Sequence, residues 1–211
     1  MQTDQKIILA VPADRLPSEL RRTTFLPLDA VRIMSVLQEA GLWLGPRPQL
    51  EEMPSFRQII PYVVLTCADK WVRYTRAPAG GEQRLHGRVS IGLGGHVDLP
   101  DVCTVGNSID LLKTLDDAAE REVQEELPGV VCSSRRWAGL LVDNESTVGM
   151  VHIGVVAIWE LEFMPNGPTE DAISEAGLAS WAELVEAGPR LETWSSLLLK
   201  HFAIADARVK I

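Results

Sequence analysis

Arg121-Glu122-Val123-Gln124-Glu125-Glu126 decides how this chain is read. It closes a helical pattern: Leu112, Leu115, Ala119, Val123 and Leu127 recur at helical spacing, which predicts a helix over residues 108–127. Glu120, Glu122, Glu125 and Glu126 crowd its last two turns. Glu122 and Glu126 are four residues apart, so their like charges meet side by side at a cost of ~0.2–0.5 kcal/mol. Carboxylates at a helix C-terminus also oppose the macrodipole, at roughly 0.3–1 kcal/mol each. At about 100° per residue, Glu126 falls between Leu115 and Ala119, and Glu122 lies just beside them. Two acids therefore border the apolar stripe. A divalent cation offsets these penalties together, and hard oxygen ligands suit Mg²⁺. The plainer alternative is a solvated acidic face that Arg121 partly neutralises. Upstream stands a glycine-rich turn, Gly92-Leu93-Gly94-Gly95-His96, which on its own reads as a tight turn.

Turn and acidic helix together resemble the Nudix family, whose box is G-x5-E-x7-R-E-U-x-E-E-x-G-U with U a bulky aliphatic residue. Gly95 opens the box, and Arg121, Glu122, Val123, Glu125 and Glu126 fit its core without a mismatch. Residues 139–143 and 148–154 are similar to the strand pair after the box in a Nudix subgroup. Trp181, Leu184, Leu191, Glu192, Trp194 and Ser195 resemble the closing helices of many members, so the similarity covers roughly 56–203. Three departures stand out. The family's first Glu falls at Asp101, a shorter acid. The gap from there to Arg121 is too long, which makes residues about 102–113 an insertion, and Lys113 occupies the position eight before Arg121. Pro128 displaces the closing glycine to Gly129, a different helix stop.

The resemblance implies an α/β fold, a Nudix-like α/β/α sandwich with a mixed β-sheet. It also implies that Glu122, Glu125 and Glu126, with the carbonyl of Gly94, hold Mg²⁺ or Mn²⁺. Arg121 then orients the glutamates, Glu122, Glu125 and Arg121 serve catalysis, and Gly95 and His96 meet substrate. The implied reaction is water attack on one phosphorus of a diphosphate, in a nucleoside diphosphate linked to another moiety. The general base stays open among Glu122, Glu145 and Glu170. Two other readings remain: a catalytically inactive Nudix-like nucleotide-binding module, motivated by the altered spacing at Asp101 and Lys113, and an acidic interaction domain.

Length suits one domain with an extension: the chain has 211 residues, 46% hydrophobic and 23% charged. We take residues 1–55 as an N-terminal extension and 56–211 as the main domain. A net charge of −9 argues against a nucleic-acid duplex as partner, though not against a nucleotide, because a bound metal reverses the local sign. Cys67, Cys103 and Cys132 lack metal-site spacing and read as reduced thiols of a cytoplasmic protein. No stretch reaches the length of a membrane helix. A homodimer through the added segments is consistent with such a chain.

Along the sequence, residues 7–11 predict a strand, and Asp29 caps a helix with Ile33, Met34, Leu37 and Ala40 on its face, stopped by Gly41. Residues 45–54 read as loop. Strands are expected at 59–68 and 71–77 around an Asp69-Lys70 hairpin turn, then at 88–93, 137–143 and 148–163. Residues 78–81 and the acidic stretch 164–178 read as loops, and 180–186 and 191–202 as helices. His152, in an apolar strand, reads as a satisfied core histidine. Arg73, Arg76, Arg84 and Arg88 read as exposed residues or phosphate contacts, and Trp71, Trp137 and Trp159 as core or base-stacking residues.

Overall fold

Periodicity and caps translate directly into the first elements. In this computed structural model, which describes residues 6–76, 87–164 and 173–209, β1 (Ile7–Pro12) is the expected apolar strand. A short β2 (Phe25–Pro27) follows. The side chain of Asp29 then accepts from the Arg32 amide at 2.9 Å and starts α1 (Ala30–Ala40). Gly41 ends that helix at φ 92°, in the region that favours glycine. The stretch expected as loop is ordered instead: β3 (Trp43–Pro46) pairs with β1, and one helical turn, α2 (Arg47–Leu50), follows. Prolines did not prevent this, because Pro46 ends the strand and Pro48 sits in the first turn, where no amide bond is needed.

The remaining strands are β4 (Phe56–Cys67), β5 (Lys70–Arg76), β6 (Val89–Ser90), β7 (Gly92–Leu93), the hairpin β8 (Thr104–Val105) and β9 (Ser108–Ile109), β10 (Cys132–Leu141), β11 (His152–Leu161) and β12 (Ile173–Ala179). The helices are α3 (Leu111–Glu126), α4 (Trp181–Glu186) and α5 (Thr193–Val209). Strand order in the main sheet is β12-β5-β4-β11-β10-β2, with β1 and β7 also on β4, and β6 on β5. This is the expected α/β class with a mixed sheet.

Several boundaries depart from expectation. The β4–β5 turn is Ala68-Asp69, both at positive φ, so Cys67 faces Lys70 one residue earlier than read. The strand expected at 88–93 breaks in two, and the one expected from Trp137 begins at Cys132. Val148 to Val151 form turn and 3-10 structure before β11 begins. The stretch expected as a loop to 178 contains β12, whose register shifts between Ser174 and Gly177, with Glu175 at φ 53°. The insertion is the β8–β9 hairpin, so α3 starts at Leu111, not Ser108. Asp110 caps it by accepting from the Lys113 amide at 3.1 Å. That start buries Leu111 and leaves Leu112, assigned above to the apolar stripe, 42% exposed. The loop expected at 78–81 lies outside the described residues.

Two compact units divide the chain: residues 1–62, 94–121 and 137–157, and residues 63–93, 122–136 and 158–211. In the first, β1 runs between β3 and β4, and Ile8, Ala10 and Leu50 form a buried cluster against Phe56. Trp43 lies 4.8 Å from Phe56, centroid to centroid. In the second, Val89, Ile91, Ala179, Leu184, Leu191 and Leu199 bury together, flanked by Trp71 and Trp181. Its buried polar centre is a helix cap: Glu192 Oε1 accepts from the Ser195 amide at 3.1 Å and its hydroxyl at 2.6 Å, and Ser195 Oγ accepts from the Ile91 amide at 3.0 Å.

Candidate active site

The glycine turn is shaped by a close backbone approach. A Cβ on Gly94 would lie 2.0 Å from the Pro61 carbonyl oxygen, so only glycine fits there. Two residues on, the ring Nε2 of His96 lies 2.8 Å from Oε1 of the fully buried Gln58, three residues before Pro61 on β4. The His96 and His152 rings are 5.5 Å apart, and His152 Nδ1 lies 2.7 Å from the Val148 carbonyl oxygen, a satisfied histidine as expected. Burial pushes the His96 pKa down to about 3, assisted by the positive charges of Arg47, His152, Lys6 and Arg121. His96 is therefore neutral at ordinary pH and offers a hydrogen-bonding ring, not a cation, to any ligand.

Arg121 anchors the start of the box. Its Nε donates to Asp101 Oδ1 at 2.9 Å, and its Nη2 donates to Asp101 Oδ2 at 2.8 Å and to the His96 carbonyl at 2.9 Å. Asp101 Oδ2 also accepts from the Asp98 amide at 2.9 Å, which leaves this buried carboxylate well satisfied. Asp101, where the family's first glutamate was expected, thus serves as the partner of the box arginine. Lys113 pairs with Asp117 at 2.8 Å on the helix surface, and Cys103 Sγ donates to the same carboxylate at 3.1 Å. Cys67, Cys103 and Cys132 form no disulfide.

At the other end of α3 the acids gather. Glu122 is half-buried, Glu125 exposed, and Glu126 only 9% exposed, as the helical wheel predicted for an acid inside the apolar stripe. Glu122 and Glu126 lie one turn apart on one helix face. The stop follows at once: Gly129 takes φ 80° and its amide donates to Gln124 Oε1 at 3.2 Å. Three carboxylates are the donor set that Mg²⁺ or Mn²⁺ takes, so the residue chemistry fits such an ion. Among the described residues no three His, Cys, Asp or Glu side chains are already gathered into a metal cluster. An ion would therefore have to draw these flexible side chains together.

The polar turn after β10 is held by groups the sequence did not flag. Arg57 Nη1 donates to the carbonyls of Gly149 at 2.7 Å and His152 at 3.1 Å, and its Nη2 donates to Asn144 Oδ1 at 2.7 Å. Buried Asp143 accepts from the Glu145 amide at 2.9 Å and from the Ser146 hydroxyl. Burial pushes the Asp143 pKa up, but these donors outweigh it and leave the carboxyl below its ordinary value. Glu145, one candidate base, is exposed; the other loop candidate, Glu170, and Arg84 lie outside the described residues. Arg88 is exposed and donates to the Pro189 carbonyl at 3.1 Å. Trp137 and Trp159 are buried, and Arg135 lies 4.1 Å over the Trp159 ring. Trp71 is half-buried beside Trp181 and Phe202. The signal for Gln58 was slight, a polar residue after Arg57 at the head of the apolar run Ile59 to Leu65; nothing in the sequence named His96 as its partner.

With this geometry in view, comparison with known proteins is informative. No protein-family model matches the chain. Protein YmaB of Bacillus subtilis (strain 168) is 33% identical over 162 residues, covering 72% of this chain and 74% of YmaB. The solved structure of Tm1382, described as a candidate Nudix hydrolase, superposes with a TM-score of 0.75 at 24% identity, covering 93% of this chain and 97% of that one. The Nudix domain of Shewanella oneidensis NrtR, solved with ADP ribose, gives 0.51 at 14% identity, over 72% of this chain and 88% of that one. The chain has the fold of the Nudix proteins. It is a homologue of YmaB as well.

Proposed function

We propose that this chain is a divalent-metal-dependent hydrolase that cleaves the diphosphate bond of a nucleoside diphosphate linked to a second group. The observation that carries the reading is Glu126, buried in the last turn of α3 with Glu122 one turn above it. Like charges one turn apart at a helix C-terminus repel each other and oppose the helix dipole, and a cation offsets both. The substrate class draws on NrtR, whose Nudix domain was solved with ADP ribose. Glu122, Glu125 and Glu126, with the Gly94 carbonyl, would hold Mg²⁺ or Mn²⁺. When bound, the ion supplies Lewis acidity at a phosphate oxygen and acidifies a water.

The chain's own residues supply the rest. Glu122 takes the proton of the attacking water, whose oxygen bonds one phosphorus while the bridging oxygen leaves with the other phosphate. Arg121 fixes the turn at His96 and Asp101 so that Gly95 and His96 can meet the substrate. A second reading, a nucleotide-binding module without turnover, is motivated by the altered spacing at Asp101 and Lys113.

A panel of nucleoside diphosphate conjugates, incubated with Mg²⁺ or Mn²⁺ and analysed for products, separates the two. The hydrolase reading expects phosphate-bearing products and a fall of at least ~100-fold in rate for Glu126→Gln, with the fold retained by circular dichroism. Wild-type turnover in that variant refutes the metal assignment. Ligand-induced thermal stabilisation with no product establishes the binding module.

A further inference from the structure

Gln58 poses a problem of its own. It is fully buried in β4, and its Nε2 has no hydrogen-bond partner among the described residues. Burying an amide donor without an acceptor destabilises a fold, so an apolar side chain would serve β4 better. What Gln58 does make is one long-range bond, from Oε1 to His96 Nε2 at 2.8 Å. An accepting oxygen there places the ring proton on Nε2 and leaves the lone pair on Nδ1. The same three-residue turn is held at two other points. The Pro61 carbonyl oxygen occupies the space that a Cβ on Gly94 would need, and Arg121 holds the His96 carbonyl at 2.9 Å. Just beyond it, the Val97 carbonyl accepts from the Leu9 amide at 3.0 Å. Of these anchors, only Gln58 grips the side chain of the turn.

We propose that Gln58 is a positioning residue that fixes the tautomer and orientation of His96, and through them the Gly94-Gly95-His96 turn. The part of this proposal that concerns ion binding rests on the hydrolase reading above; the part that concerns the ring does not. A ring whose proton is fixed on Nε2 by Gln58 presents one defined acceptor at Nδ1, and a turn fixed at three points keeps the Gly94 carbonyl in one place. Groups that hold a metal ligand from behind typically change metal affinity by ~10–100-fold when removed.

The test uses the full chain with two substitutions, Gln58→Met and Gln58→Glu. Long-range ¹H–¹⁵N spectra report the His96 tautomer, hydrogen exchange reports the Leu9 amide, and a titration with MnCl₂ alone reports ion binding. Wild type is expected to show one tautomer, with the proton on Nε2. Gln58→Met is expected to keep or raise Tm, to lose the single tautomer, to speed Leu9 exchange and to weaken Mn²⁺ binding by at least ~10-fold. Gln58→Glu keeps the accepting oxygen, so it is expected to retain the single tautomer with the proton on Nε2; its loss in that variant counts against the positioning role. An unchanged tautomer and unchanged Leu9 exchange in Gln58→Met overturn the positioning role whatever the metal does. A lost tautomer with undiminished Mn²⁺ binding overturns the claim that the turn serves the ion. If wild type binds no Mn²⁺ while the tautomer still depends on Gln58, the hydrolase reading fails and the positioning role stands. A Gln58→Met chain that unfolds shows the residue to be structural and also refutes the proposal.

Discussion

The two ends of α3 treat charge in opposite ways. Near its start, acids are matched with bases: Asp117 meets Lys113 at 2.8 Å, and further along Asp101 meets Arg121 through two hydrogen bonds. At its end, Glu120, Glu122, Glu125 and Glu126 accumulate within seven residues, against the helix dipole, and Glu126 is buried. Asp101 and Glu126 are almost equally buried, at 8% and 9% exposure. The first is dressed with three donors and belongs to folding. The second lies one turn from Glu122 among the like charges at the helix end, where we propose that a metal ion binds. Two carboxylates of equal burial thus stand in different surroundings: one in a bidentate pair with Arg121, the other one turn from Glu122 in an acidic helix end.

That contrast can be broken at its strongest point first. Arg121→Ala leaves Asp101 buried without its bidentate partner, and urea unfolding should show a loss of roughly 2–3 kcal/mol, discounted from a fully buried pair because Arg121 keeps 29% exposure. Glu126→Gln should instead leave Tm unchanged or raised, since it removes a like charge beside Glu122 at the unfavourable end of the dipole. A large loss of stability in Glu126→Gln would mean that both carboxylates are structural and the contrast is empty.

A smaller effect sharpens the picture at the turn that Arg121 holds. The folded pKa of His96, about 3, lies below its ordinary 6.5. Between those values the unfolded chain binds a proton that the folded chain does not. Stability from this ring is full above pH 6.5 and falls as the pH drops, with a slope of at most ~1.4 kcal/mol per unit. Unfolding curves of wild type and His96→Gln across pH 4–7 should converge in slope only above that window; parallel curves throughout would show a ring that is not buried as described. Asp143 works in the same direction at lower pH. Its depressed pKa gives stability that is present above its ordinary value of 3.8 and lost as the pH falls through the folded value, and Asp143→Asn removes that acid-dependent step. Smallest of all, Lys113→Met should leave Tm indistinguishable from wild type, because the Lys113–Asp117 pair is exposed. A measurable drop there would show that the insertion hairpin depends on it.

Local chemistry was legible wherever neighbours in sequence are neighbours in space. The Asp29 cap, the Gly41 stop and the burial of Glu126 follow from 3.6-residue periodicity and cap chemistry alone. The start of α3 was misplaced because Ser108 and Ile109 pair with Val105 and Thr104, and that hairpin delays the helix until Asp110 can cap it. The apolar face shifted with it, from Leu112 to Leu111.

By itself the chain determined its Gly-rich turn and the acidic end of its helix, because such features repeat within a turn or two of backbone. Only tertiary structure decided that Arg121 grips Asp101, twenty residues earlier, and that Gln58 reaches His96, thirty-eight residues later. Those partners are chosen by how strands and turns come together, and a linear order of residues carries no record of which buried donor will find which acceptor.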